Sequence, residues 1–171
     1  DKIAFSPDGL HGMVTTTHLT LATTDGGNTW QEHSHYDNRW PRVISLCYPS
    51  PSTAYRLMSD YSNANIHYLQ SSNNQGVSWT DMPLPGQKIT VMHFSSATRG
   101  YLFGGDEQSG AGGFYLTTNG GGQWSWNPLP VQKIVLADVA HDTLAYIVTS
   151  DNRLLKLFMA SSSLSEIMIP Q

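Results

Sequence analysis

The sequence predicts an all-β chain, a β-propeller of four four-stranded antiparallel blades. Three observations carry that prediction. Turn-rich segments ending in tryptophan recur at Trp30, Trp79 and Trp124, spacings of 49 and 45 residues. Short apolar runs recur at the same interval, and self-similarity at blade length marks a repeat architecture. Charged residues make only 13% of the chain while aromatics make 11% and there are 15 glycines. That balance suits strands joined by many turns, whereas a disordered chain is poor in aromatics.

The elements follow in order within each repeat. Apolar runs at Ile3–Phe5, Val43–Tyr48, Ile89–Phe94 and Ile134–Val139 read as inner strands covered on both faces. Turn residues come next, at 6–9, 49–52, 95–98 and 140–143. A small residue then opens a second apolar run: Gly12–Val14, Ala54–Leu57, Gly100–Phe103 and Ala145–Val148. Third strands are predicted at Leu19–Thr23, Ile66–Ser71, Phe114–Thr118 and Arg153–Phe158; a weak helical pattern near Leu154–Ala160 is assigned to a strand by the repeat. Outer strands are predicted to begin at Trp30, Trp79 and Trp124, and near Leu164. Two of them end in Pro-Leu-Pro (residues 83–85 and 128–130), and Pro170 stands similarly; proline is tolerated at an edge strand. Gly104-Gly105 and Gly110–Gly113 read as a flexible connection. The chain is thus one propeller segment, 1–171, with blades at about 1–37, 38–85, 86–130 and 131–171. A β-sandwich also shows short strands and regular turns, but the period near 45 residues favours the propeller.

The tryptophan segments have a common grammar. Asp25, Gly27, Thr29 and Trp30 align with Asn74, Gly76, Ser78 and Trp79, and with Asn119, Gly121 and Trp124, where Gln123 replaces the hydroxyl residue. A carboxylate or amide can accept from backbone N–H groups of its own turn, and glycine takes the positive φ of a tight hairpin. The hydroxyl adds a local bond, and the indole packs between blades. On that role Trp30→Ala should cost about 3–5 kcal/mol, and Asp25→Ala should destabilise through unpaired turn donors. The fourth repeat, Met159–Leu164, has neither Gly nor Trp. The three segments resemble the Asp-box, the bacterial neuraminidase repeat S/T-x-D-x-G-x-T/S-W; the first matches it fully.

Charge and composition exclude several functions. Net charge is −4 and the nine Lys and Arg are scattered, so the basic patch that nucleic acid requires is missing. No run of about 20 apolar residues exists to span a membrane as a helix. Cys47 lies in an apolar run and reads as a buried thiol. The chain opens at Asp1 with no visible signal peptide, which leads us to expect that the natural start was removed. The glycine-rich stretches lack the lysine and helix of a phosphate loop, and no cofactor is expected. His33 and His35 would share a strand face, with Asp37 near, but no third ligand is assured and no metal is expected.

Ligands of propellers usually meet the loops opposite the hairpins that resemble the Asp-box, or the central channel. The loop residues most suited to binding are Tyr36, Arg39, Trp40 and Arg42, then Asp60 and Tyr61, then Asp106 and Glu107; aromatic and arginine side chains are common interface anchors. Sialidases carry the Asp-box away from their active site. Their resemblance would require an arginine trio and an Arg-Ile-Pro motif, and Arg39-Trp40-Pro41-Arg42 departs from it. Xyloglucan-type glycosidases use two aspartates across a cleft. Asp60, Asp106, Glu107 and Asp138 are available, but nothing pairs them in sequence.

The third repeat, 98–105 with 115–121, resembles the blade phrase of photosystem II assembly factor-like propellers. That resemblance implies a non-catalytic, extracytoplasmic module with a protein partner. The alternative it leaves is a carbohydrate-active propeller: a glycosidase or sialidase-like fragment, or a sugar-binding domain. Four blades would expose two large blade faces if the ring stays open. Closure with four, a homodimer, or further blades would each complete it.

Overall fold

The computed structural model describes residues 2–16, 19–34, 42–60, 62–64, 66–86, 88–105 and 109–167. These form sixteen strands in four antiparallel meanders, with no helix among the described residues. The first sheet holds β1 (Lys2–Phe5), β2 (Gly12–Thr15), β3 (Leu19–Thr23) and β4 (Gln31–Ser34). The second holds β5 (Arg42–Cys47), β6 (Ala54–Ser59), β7 (His67–Ser72) and β8 (Thr80–Met82). The third holds β9 (Ile89–Phe94), β10 (Gly100–Gly105), β11 (Ala111–Thr117) and β12 (Ser125–Gln132). The fourth holds β13 (Ile134–His141), β14 (Leu144–Thr149), β15 (Leu154–Phe158) and β16 (Ser163–Glu166). Strand order within each sheet follows the chain, inner to outer.

The inner strands lie side by side, β1 against β5, β5 against β9 and β9 against β13. The result is a four-bladed propeller array. Polar side chains tie neighbouring inner strands together. Ser45 Oγ donates to Met92 O (3.3 Å), Cys47 Sγ accepts from Phe94 N–H (3.2 Å), and Thr90 Oγ1 donates to Ile134 O (2.8 Å).

Between sheets lie three apolar cores. Met13, Tyr48 and Ala54 pack between the first and second. Tyr55, Leu57, Phe94 and Leu102 pack between the second and third. Tyr101, Phe103, Ala145 and Ile147 pack between the third and fourth. Alternation along the second strands explains the pattern. Tyr55 and Leu57 point to the following sheet, while Ala54 points to the preceding one.

Two details differ from the sequence reading. The outer strands begin one residue after each tryptophan, at Gln31, Thr80 and Ser125; the indole belongs to the turn. Gly104, Gly105, Gly112 and Gly113 are not a flexible connection but buried strand residues of β10 and β11. A Cβ on Gly104 would stand 2.0 Å from the Lys88 carbonyl oxygen, and one on Gly113 would stand 2.4 Å from Trp126. Close strand approach, not flexibility, selects glycine there.

Candidate functional site

The tryptophan hairpins are built from side-chain acceptors. In the first, Gly27 N–H donates to Thr23 Oγ1 (2.9 Å), and Thr23 Oγ1 donates to Asp25 Oδ1 (2.8 Å). Thr29 donates twice to Asp25, from N–H to Oδ1 (2.9 Å) and from Oγ1 to Oδ2 (2.6 Å). Those bonds favour the charged form and hold the Asp25 carboxyl at about 2, with the Thr29 hydroxyl the largest cause. Asn74 keeps the geometry with one reversal: Ser78 N–H donates to Oδ1 (3.0 Å), while Asn74 Nδ2 donates to Ser78 Oγ (2.9 Å). Asn119 Oδ1 accepts from Gln123 N–H (2.9 Å) and from the Thr117 hydroxyl (3.0 Å), and Gln123 stands where the other two hairpins carry a second hydroxyl. Two consecutive residues take positive φ in each hairpin; the second is glycine in all three (Gly27, Gly76 and Gly121), and the first is Gly26, Gln75 and Gly120.

The first and third hairpins grip the neighbouring turn of their own sheet. Gly26 N–H donates to Leu10 O (2.9 Å) and Gly120 N–H to Thr98 O (2.7 Å). The fourth sheet repeats the link with Met159 N–H to Thr143 O (2.9 Å), although it lacks the motif. The inner strands therefore end on the same side as the hairpins.

At that side the ends of all four inner strands border a cleft of about 470 Å³. Phe5, Cys47, Tyr48, His93, Val139 and His141 face it, one or two from each sheet. The walls are mostly apolar, with imidazoles supplying hydrogen-bonding edges. Burial pushes the His93 pKa below the ordinary value, against the opposing pull of Asp138 and Asp142. It is therefore neutral at pH 7, with one donor and one acceptor nitrogen. His141 Nδ1 lies 2.9 Å from Thr143 Oγ1. Burial raises the Cys47 thiol, which stays protonated and is a poor nucleophile. Asp8 sits beside the cleft, its carboxylate held low by Ser6 and by the His11 and Leu10 backbone N–H groups.

Of the sequence-predicted binding residues, Arg42 and Asp60 fall among the described ones, and neither lines the cleft. Arg42 is exposed at the start of β5, in register with Ser59, so it and Asp60 share one end of the second sheet. Asp60 is a turn acceptor: Ser62 N–H (2.7 Å) and Ser62 Oγ (2.5 Å) donate to Oδ1, and Tyr68 Oη donates to Oδ2 (3.1 Å). Those bonds, the Ser62 hydroxyl first, lower its pKa. Tyr36, Arg39, Trp40, Tyr61, Asp106 and Glu107 lie outside the described residues, as do His35 and Asp37. Among the described residues no group of three His, Cys, Asp or Glu side chains is placed to hold a metal. Asp138 is in register with Tyr146 on the fourth sheet, on a different blade from Asp60.

Sequence reasoning missed His93 and His141 as cleft residues. The available signal was their place in the repeat, at the ends of inner strands that converge in any propeller. A second omission was Arg56. It is 2% exposed, donates from Nε to Gln70 Oε1 (2.8 Å), and lies 4.1 Å from the Trp79 ring centroid. Gln70 Nε2 in turn donates to Asp81 Oδ1 (2.6 Å).

No family profile matches the chain, and no curated protein matches its sequence. Solved structures do match in fold. YCF48 from Cyanidioschyzon merolae superposes with a TM-score of 0.72 at 20% identity, covering 99% of this chain and 56% of that one. A structure of YCF48 bound to D1 peptide gives 0.54 at 14% identity, covering 99% and 66%. The GH74 xyloglucanase from Xanthomonas campestris gives 0.64 at 11% identity, covering 96% and 29%. The chain thus spans little more than half the length of the first of these.

Proposed function

We propose that the chain is a non-catalytic propeller module that binds an extended segment of a protein partner, in an assembly role outside the cytoplasm. The observation that carries the reading is the cleft at the inner-strand ends. It has apolar walls with neutral His93 and with His141, and is long enough in volume for a few side chains of a peptide. Fold likeness to YCF48, one structure of which is described as bound to D1 peptide, supports the class of ligand. The extracytoplasmic placement comes from the resemblance of the blade phrases alone.

The test is an overlapping-peptide array probed with the purified chain, followed by fluorescence anisotropy on captured peptides. Ala140 is exposed and borders the cleft, so Ala140→Arg narrows the cleft without disturbing the core. Peptide affinity should fall at least about tenfold, a loss of about 1.4 kcal/mol, at unchanged melting temperature. Binding that ignores Ala140→Arg would reject the cleft. Turnover of a xyloglucan or sialoside substrate, lost on changing one carboxylate, would replace the reading with a carbohydrate-active one.

A further inference from the structure

The third hairpin departs from the first two at two positions, and both departures uncover the same amide. In the first two a hydroxyl closes on the aspartate or asparagine: Thr29 Oγ1 donates to Asp25 Oδ2 (2.6 Å), and Asn74 Nδ2 donates to Ser78 Oγ (2.9 Å). Gln123 stands at that position in the third hairpin. The Gln123 N–H and the Thr117 hydroxyl both donate to Asn119 Oδ1 (2.9 and 3.0 Å). They fix the orientation of the amide and leave its Nδ2 without a partner among the described residues. The preceding position is the second departure. Asn28 and Val77 carry side chains there, whereas the third hairpin has Gly122. A Cβ on Gly122 would stand 3.4 Å from Asn119 Nδ2. Gly122 does not take positive φ, so its backbone does not demand glycine.

That amide borders a pocket of about 500 Å³, lined by Leu116, Thr118, Asn119, Gln123, Trp124 and Ser125. None of these side chains is charged, and only Leu116 and Trp124 are apolar. Trp124 Nε1 is buried, so the ring offers the pocket carbon surface rather than a donor. Thr118, Asn119, Gln123 and Ser125 are exposed, and together they present two amides and two hydroxyls. The third sheet has another described sheet on either side, which places the pocket away from the first and last sheets. It shares no lining residue with the cleft at the inner-strand ends.

We infer that this pocket is a binding site for a neutral carbohydrate. Asn119 Nδ2 donates to a sugar hydroxyl as Asn74 Nδ2 donates to the Ser78 hydroxyl, so the ligand supplies the hydroxyl that the third hairpin lacks. A sugar ring also carries neighbouring hydroxyls that each donate and accept, and an apolar C–H face. Amides and hydroxyls grouped beside an indole match both properties. A charged ligand would find no counter-charge on the lining residues. An extended peptide is held chiefly through backbone ladders, whereas the free polar groups here are side chains. This site goes beyond the peptide cleft and is independent of it.

Saturation-transfer NMR and titration calorimetry on the purified chain test the inference. The probes are neutral tetrasaccharides built of glucose, of mannose and of galactose, and at least one should bind. Gln123→Ser recreates the second hairpin and engages Asn119 Nδ2 with a hydroxyl. Gly122→Val places there the side chain that Val77 carries in the second hairpin. Both variants should melt as the parent does, because the second hairpin folds with these residues. Each should weaken sugar binding at least about tenfold. Ala140→Arg should leave sugar binding unchanged, which separates this site from the peptide reading. Failure of every tetrasaccharide to bind overturns the inference. So does sugar binding that ignores both Gln123→Ser and Gly122→Val. A peptide captured in place of sugar, and lost on the same two substitutions, overturns the carbohydrate assignment.

Discussion

The tryptophan hairpins of the first and third sheets share one local design and differ in what stands beside them. Trp30 is 37% exposed, and its Nε1 donates to Gly27 O within its own turn (3.0 Å). Trp124 packs into the core between the second and third sheets beside Tyr55 and Phe94, and its buried Nε1 has no partner among the described residues. Gly121 of that hairpin abuts the second sheet, where a Cβ would stand 2.8 Å from Met82 Cε, whereas a Cβ on Gly27 would meet only its own sheet. The same turn geometry is therefore worth different amounts. Side-chain acceptors fold the hairpin, and the neighbouring blade sets the value of the indole.

The comparison is tested most strongly by the tryptophans. Trp124→Ala should cost about 3 kcal/mol in chemical denaturation. Trp30→Ala should cost about 1–2 kcal/mol, because less apolar area leaves water there. This corrects the 3–5 kcal/mol that the motif alone predicts for Trp30, and equal losses would break the comparison. Arg56→Leu comes next. It strips a buried charge from Gln70 and from the Trp79 face and should cost about 3 kcal/mol, against near neutrality for a surface arginine. Tyr55→Phe should lose about 1 kcal/mol with its bond to Ala97 O. Tyr146→Phe, on an exposed ring, should lose nothing.

The smallest expected effect concerns acid. The Asp25 pKa is depressed from 3.8 to about 2, so its folded-state stabilisation is full above pH 4 and lost as pH falls towards 2. Asp8 and Asp60 are shifted the same way. Asp25→Asn reproduces the arrangement at Asn74. Melting temperature at pH 7 should barely change, while its fall between pH 4 and 2 should become shallower. An unchanged acid slope would show that this carboxylate does not titrate with folding.

Much of the fold was legible because its signals are local. Asp25, Asn74 and Asn119 bond within four residues of themselves, and apolar runs at a fixed interval mark inner strands whatever surrounds them. Gly104 and Gly113 were misread because close approach of Lys88 and Trp126 leaves no trace in their own neighbourhood. The cleft was hidden for a related reason. His93 and His141 are 48 residues apart in chain but meet where four strands converge, and no spacing rule links them.

By itself the sequence determined the hairpins, the strand order and the blade period, since each depends on contacts a few residues long. Only the tertiary structure decided which tryptophan is buried, which arginine is enclosed and where the inner strands open a cleft. Those outcomes turn on what lies across a blade interface, and burial is a property of both sides of that interface.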